Sequence, residues 1–205
     1  MLLYSRNKHL SMTEAQRKCY NTINENNKTL ILKKRQSGTT TLLATYVINE
    51  LKEEYNKTIC YMSPSNSMSR EFMDIVDDAF SDNLSNIVSH TFTKLVLLNG
   101  NKLITMRNCP ENFRGLQKID TFIYDEIGFE RGDFPALYKT LTLYRPLKRI
   151  FTYTTADCGN ILTPYLESVQ DWLLVSSSKR VLLPMFSNVK IIKDDMYNRI
   201  QKLYS

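Results

Sequence analysis

Short apolar runs alternate along the chain with longer stretches in which apolar residues recur at helical spacing. Strand-length apolar runs occupy 29–33, 58–62, 121–124 and 149–153, and helices are predicted at 40–54, 68–80 and 134–143. In the second helix Phe72, Ile75, Val76 and Ala79 fall on one face. Strands alternating with helices predict an α/β fold with a mostly parallel central sheet, flanked by helices on both faces.

One part of this pattern predicts an antiparallel element instead. The apolar runs 95–98 and 103–106 flank Asn99-Gly100, a pair whose residues both tolerate positive φ. Such a pair between two short strands is typical of a tight β-hairpin.

Composition limits the class of protein. The 205 residues are 42% hydrophobic and 23% charged, which is normal for a globular chain with room for one ordinary domain or two very small ones. No apolar run approaches the roughly 18 residues of a membrane span, and the N-terminus predicts no secretory signal. Four widely spaced cysteines and two histidines predict free thiols in a reducing cytosol rather than a zinc site or a disulfide framework.

The chain is basic, with 27 Lys and Arg against 21 Asp and Glu and a formal charge of +6. This excess favours a polyanionic partner such as nucleic acid. The densest basic run is Lys33-Lys34-Arg35, directly after the first predicted strand.

Three predicted strands end in residues that suit phosphate chemistry, and the carboxyl ends of parallel strands are where such sheets bind ligands. A glycine-bearing turn after the first strand opens a helix, which suits phosphate, although most such turns are only turns. Asp125 and Glu126 follow the third strand, where an NTPase holds its metal and orients water; the alternative is a solvent-facing or capping pair. The hydroxyl groups of Thr152, Thr154 and Thr155, at the end of the fourth strand and directly after it, could contact a γ-phosphate, or belong simply to strand residues.

In order, the segments RQSGTTT, SPSNSMSREFMD, FRGLQKIDTFIYDEIGF and RIFTYTTADCGN resemble the ATPase domain of the large terminase subunit of tailed phages, most of all the T-even type. The resemblance extends from about residue 13 to residue 160. It implies a P-loop NTPase fold and Mg²⁺-dependent ATP hydrolysis that drives double-stranded DNA into a viral capsid. It also implies a single terminase-like ATPase domain over 1–205, with its core at about 13–160 and residues 161–205 as an extension.

The resemblance also implies roles for individual residues. Glu126 would be the catalytic base, Asp125 and Thr40 would hold Mg²⁺, and Arg35 matches the arginine of the family's phosphate loop. Gln16 resembles the glutamine that reads adenine, with a helix-surface glutamine as the alternative. The remaining nucleotide-binding residues would be Lys33, Lys34, Gln36, Ser37, Gly38, Thr39, Thr40 and Thr41, and the coupling motif would be Thr154 and Thr155.

Two features depart from that family. Thr39 occupies the position of the phosphate-loop lysine, and a hydroxyl does not supply its charge, so Lys33, Lys34 or Arg35 would have to. The acidic residues after 160 are too few and the segment too short for a nuclease domain, which predicts a separate nuclease part or no DNA cleavage.

The resemblance further implies partners and a location: double-stranded DNA, a portal, a small terminase subunit and a homo-oligomeric ring at the procapsid portal vertex. The host cytoplasm is expected, or the nucleus for a eukaryotic virus, with no membrane association. Arg114, Arg131 and Arg145 are candidates for an arginine donated to a neighbouring subunit. The alternatives are a catalytically impaired nucleotide-binding assembly protein, a helicase-type ATPase, and a DNA-binding module without nucleotide.

Overall fold

The computed structural model describes residues 2–5, 8–33, 36–53, 55–107, 112, 116–126, 143–154 and 190–193. Within these ranges the α-helices are α1 (Glu14–Glu25), α2 (Thr39–Glu53) and α3 (Asn66–Asp78), with a 3₁₀ helix at Ser81–Asn86. The strands are β1 (Leu2–Ser5), β2 (Lys8–Ser11), β3 (Lys28–Lys33), β4 (Thr58–Ser63), β5 (Ile87–Thr91), β6 (Lys94–Leu97), β7 (Lys102–Arg107), β8 (Thr121–Tyr124), β9 (Lys148–Thr154) and β10 (Lys190–Lys193).

Eight of these strands form one sheet in the order β10-β3-β9-β8-β4-β7-β6-β5. Neighbours from β10 to β7 are parallel, and β6 and β5 are added antiparallel at one edge. The predicted α/β fold with a mostly parallel sheet flanked by helices is therefore confirmed. Strands β1 and β2 form a separate antiparallel pair, and β1 contacts α2 and α3.

The predicted strands form because their side chains are buried on the sheet. All four residues of β8 are buried, as are the last five of β4. Helix α3 begins at an N-cap, Ser65, whose hydroxyl accepts from the Met68 N–H, and it packs Phe72 in a stacked arrangement on Tyr61 with ring centroids 3.6 Å apart. This contact packs α3 against β4, the strand that lies beside β8.

The predicted hairpin is present as β6 and β7, with Leu95 opposite Leu103. Its turn differs in detail from the expectation, because only Gly100 of the Asn99-Gly100 pair takes a positive φ, at 82°. The Gly100 N–H donates to the Leu97 carbonyl at 3.0 Å, and a Cβ at Gly100 would lie 2.1 Å from Asn56 Oδ1. Glycine is needed here for both backbone conformation and space.

The sequence pattern did not indicate β1, β2, β5 or β10. The predicted helix 134–143 lies outside the described residues except for Leu143. No helix in the described ranges combines the length and apolar character needed to cross a membrane.

Candidate active site

The turn after β3 brings the amino end of α2 to the carboxyl edge of the sheet. Gln36 and Gly38 both have positive φ, 58° and 71°, and the Leu42 N–H donates to the Gly38 carbonyl at 3.0 Å to begin the helical ladder. The first turn of α2 therefore presents backbone N–H groups and the positive end of its dipole at this edge, an arrangement suited to phosphate.

Thr39, which the sequence resemblance aligns with a phosphate-loop lysine, is buried against this turn. Its Oγ1 lies 2.7 Å from Ser37 Oγ, within hydrogen-bonding distance. The Thr39 side chain therefore fixes the turn locally and brings no positive charge to it.

Gln16 lies at the start of α1 and contacts the same turn. Its Oε1 accepts from the Thr13 N–H at 3.0 Å, and the Gln16 N–H is directed to the Thr13 hydroxyl, which forms a capping box. The Gln16 Nε2 donates to the Ser37 carbonyl at 3.4 Å. The Gln16 side chain therefore both caps α1 and contacts the turn after β3.

Asp125 and Glu126 follow β8 directly and are both buried, with Asp125 fully so. Thr40, in the first turn of α2, donates its hydroxyl to Asp125 Oδ2 at 2.9 Å. The turn after β3 and the acidic pair after β8 therefore meet, 85 positions apart in sequence. Glu126 has a φ of 59°, a left-handed conformation that turns the chain sharply at the end of the strand.

Lys33, the last residue of β3, supplies the positive charge in this cluster. Its Nζ forms an ion pair with Glu126 Oε1 and lies 3.8 Å from Asp125 Oδ1, and the side chain is 8% exposed. Two carboxylates and one ammonium group are therefore buried together. Their formal charges sum to −1, and their burial strengthens the electrostatic interactions among them.

Two further hydroxyl groups contact Asp125: that of Thr152, in the hydroxyl-bearing segment at the end of the fourth predicted strand, and that of Tyr61, which the sequence does not single out. Tyr61, on β4, donates its OH to Oδ2 at 3.0 Å, and Thr152, on β9, donates its Oγ1 to Oδ1. Burial, followed by the nearby charge of Asp125, raises the pKa of Tyr61 well above its ordinary value. Tyr61 therefore remains a protonated donor at neutral pH.

The structure describes only some of the other sequence-predicted site residues. Thr41 is half-buried in α2, and its carbonyl accepts from the Thr45 hydroxyl. Thr154 is the last residue of β9. Arg145 is exposed, with a φ of 45°. Lys34, Arg35, Thr155, Arg114 and Arg131 lie outside the described residues.

The sequence resemblance implies a magnesium ion, and two oxygens of this site fit one. No group of three or more His, Cys, Asp or Glu side chains in the described ranges could hold a metal by itself. Magnesium needs fewer protein ligands than that, because one or two oxygens together with substrate phosphates and water complete its shell. The Thr40 hydroxyl and Asp125 Oδ2, 2.9 Å apart at the amino end of α2, are oxygens of this kind.

The fold is that of the ATPase domains of phage large terminases. The chain is similar to the large terminase of bacteriophage HK97 (TM-score 0.61, 16% identity, 80% of this chain and 37% of that one). It is also similar to the large terminase of a thermophilic bacteriophage in complex with ADP (0.62, 10%, 93% and 47%) and to the ATPase domain of the Thermus phage P74-26 large terminase (0.52, 15%, 74% and 70%).

The chain thus spans less than half the length of the HK97 terminase and of the terminase in complex with ADP. No protein-family model and no curated protein sequence matches it.

Proposed function

We propose that the chain is a Mg²⁺-dependent ATPase, the motor part of a viral DNA-packaging machine, and that Lys33 supplies the charge that Thr39 lacks. The observation that carries the proposal is the buried cluster of Lys33, Asp125 and Glu126, joined to the amino end of α2 through Thr40. The terminase-like fold and the ADP bound to the thermophilic bacteriophage terminase support the choice of nucleotide.

In this mechanism the backbone N–H groups at the start of α2 bind the phosphates, and Gln16 reads the adenine. Thr40 and Asp125 would hold Mg²⁺, which supplies positive charge to the β- and γ-phosphate oxygens when bound. Lys33 has two possible acceptors, the Glu126 carboxylate and the γ-phosphate. When its ammonium group turns to the phosphate, the Glu126 carboxylate is released to orient the attacking water.

The direct test is Mg²⁺-dependent phosphate release from ATP by the purified chain and by Lys33→Met, Lys34→Met, Arg35→Met and Glu126→Gln. Turnover should fall by about 100-fold or more in the Lys33 and Glu126 variants, since each removes a group acting on the transition state. The Lys34→Met and Arg35→Met variants test the other two basic residues that the sequence leaves open for the same role, and a smaller loss of turnover is expected in each than in Lys33→Met. Full activity in Lys33→Met would refute the role of Lys33.

We further propose double-stranded DNA as the substrate moved, with a portal, a small terminase subunit and a ring of identical subunits as partners at the procapsid portal vertex. The net charge of +6 and the fold support this assignment. Duplex DNA should accelerate ATP turnover, and the acceleration should decline steeply with salt because phosphate contacts release counterions. No response to DNA at low salt, with intrinsic turnover present, would favour another ATPase class.

The second candidate is a nucleotide-binding assembly protein with impaired catalysis. The observation that favours it is Thr39, whose hydroxyl is directed to Ser37 in place of a lysine at the phosphates. The variant Thr39→Lys discriminates: hydrolysis that appears only with this change identifies a lost activity, whereas hydrolysis by the wild type excludes the impaired protein.

A further inference from the structure

One buried hydroxyl group, that of Thr152, contacts both acidic residues of the site. β9 lies parallel to β8, with Phe151 opposite Tyr124. The residues that follow these two in the sequence, Thr152 and Asp125, are therefore neighbours. Thr152 is fully buried. Its Oγ1 donates to Asp125 Oδ1 and accepts from the Glu126 N–H at 2.9 Å.

These two bonds restrict the two carboxylates in different ways. The other Asp125 oxygen, Oδ2, accepts from Thr40 and Tyr61, so Thr152 completes the set of hydroxyl groups that fixes the plane of the carboxylate. At Glu126 the bond is to the backbone. The β8–β9 pairing ends at Tyr124, and the left-handed turn at Glu126 leaves an N–H that must find another acceptor because it is buried.

We propose that Thr152 is a positioning residue, which sets the direction of the Asp125 carboxylate and holds the turn that aims Glu126. The inference rests on the proposed function, in which these carboxylates hold Mg²⁺ and orient water. Groups that orient metal-holding side chains act on metal affinity as well as on rate. A hydroxyl that only stabilised β9 would leave the magnesium requirement unchanged.

The experiment compares the full chain with Thr152→Val, Thr152→Ser and a matched control, Thr29→Val. Thr29 is also fully buried in the sheet, on β3, and its hydroxyl makes no hydrogen bond within the part of the chain that the structure describes. Thr152→Ala removes the same hydroxyl without placing a methyl group beside the carboxylate, and it replaces the valine variant if that one does not fold.

The first readout is hydrogen exchange of the Glu126 amide by NMR, without nucleotide or metal. Exchange should accelerate by about tenfold or more in Thr152→Val, as local protection is lost, and stay near wild type in Thr152→Ser and Thr29→Val. Unchanged exchange in Thr152→Val would overturn the inference. This readout is decisive even for a chain that does not hydrolyse ATP, an outcome that would refute only the proposed function.

The second readout is the Mg²⁺ concentration that gives half-maximal phosphate release. It should rise by about 10- to 100-fold in Thr152→Val, while KM for ATP at saturating Mg²⁺ stays within the range of the Thr29→Val control. Thr152→Ser should restore the wild-type requirement. An equal loss of rate in Thr152→Val and Thr152→Ser, or an unchanged magnesium requirement in Thr152→Val, contradicts a positioning role.

Discussion

Asp125 accepts hydrogen bonds from three hydroxyl groups, on α2, β4 and β9, and lies 3.8 Å from the Lys33 ammonium group. A fully buried carboxylate is tolerated only when it is surrounded in this way. The donors come from three elements distant in sequence, so the sheet has to form before the carboxylate is stabilised.

The ion pair between Lys33 and Glu126 predicts a stability effect in addition to the catalytic one. Lys33→Met should lower the free energy of unfolding by about 3 kcal/mol, because it removes the ammonium group that lies beside two buried carboxylates. Adding Glu126→Gln should restore part of that loss, since one of the two charges is then gone. Urea denaturation of the single and double variants measures both, and strictly additive losses would show that the pair is not coupled.

Tyr61→Phe removes a hydroxyl group and little else. The variant should be less stable by about 2 kcal/mol, because a hydrogen bond to a charged acceptor is lost while the Asp125 carboxylate stays buried. The aromatic stacking on Phe72 is retained, so near-native packing of α3 is expected. Urea denaturation tests this value, and near-UV circular dichroism reports the packing. A stability equal to wild type would mean that Asp125 gains nothing from this donor.

The residues of the site differ in how far they can be predicted from sequence. Asp125 and Glu126 are recognisable because an apolar run leads directly into two carboxylates. The contacts of Thr152 and Tyr61 with Asp125 are not, because threonine and tyrosine are ordinary strand residues and only the lateral order of β4, β8 and β9 brings them to Asp125. Lys33 was one of three basic candidates, and its contact with Glu126 depends on which residue ends β3.

At the scale of elements, two residues in the described part of the turn between β3 and α2, Gly38 and Gln36, lie in the left-handed region. A Cβ at Gly38 would lie 2.7 Å from Gln16 Nε2, so the Gln16 side chain would also have to move. The amino ends of α1 and α2 thus approach each other closely through this turn.

Opposite effects are therefore expected from two substitutions in this turn. Gly38→Ala should lower the free energy of unfolding by about 1–2 kcal/mol, the cost of a Cβ in the left-handed region, and should weaken nucleotide binding by displacing Gln16. Gln36→Gly should be neutral or slightly stabilising, since glycine relieves the same conformation. Thermal denaturation of both variants tests the pair. Equal destabilisation would contradict the left-handed assignment at Gln36.

The prediction of elements succeeded where burial imposes a pattern. Strands β3, β4, β8 and β9 read as apolar runs because both faces of a parallel sheet are covered. Strand β5 has an intermediate residue followed by four exposed ones, so no alternation marks it. The turn at Asn99-Gly100 was placed correctly, but its backbone conformation depends on the neighbouring Asn56, which local sequence does not reveal.

At the scale of the whole molecule, the site is built from β3, α2, β4, β8 and β9, so a bound ligand should stabilise the entire sheet. ATPγS at about 100 times its dissociation constant should raise the free energy of unfolding by about 2.7 kcal/mol if it binds only the folded chain. Chelation of Mg²⁺ should remove most of this gain. At the same ATPγS concentration, the gain should be smaller in the Thr40→Val variant than in the Thr29→Val variant. Equal stabilisation with and without Mg²⁺ would contradict the role of Thr40 and Asp125.

The order of strands in the sheet also predicts the order in which the sheet forms during synthesis. Strand β3, which leads into the turn before α2, is made early but pairs with β9 and β10, which are made much later. Strands β4 to β7, in contrast, find partners among one another soon after they emerge. Pairings that enclose long stretches of chain form slowly. We therefore expect a nascent chain to form the β4–β7 part of the sheet first, and the proposed nucleotide site to be complete only after β9 has joined β3.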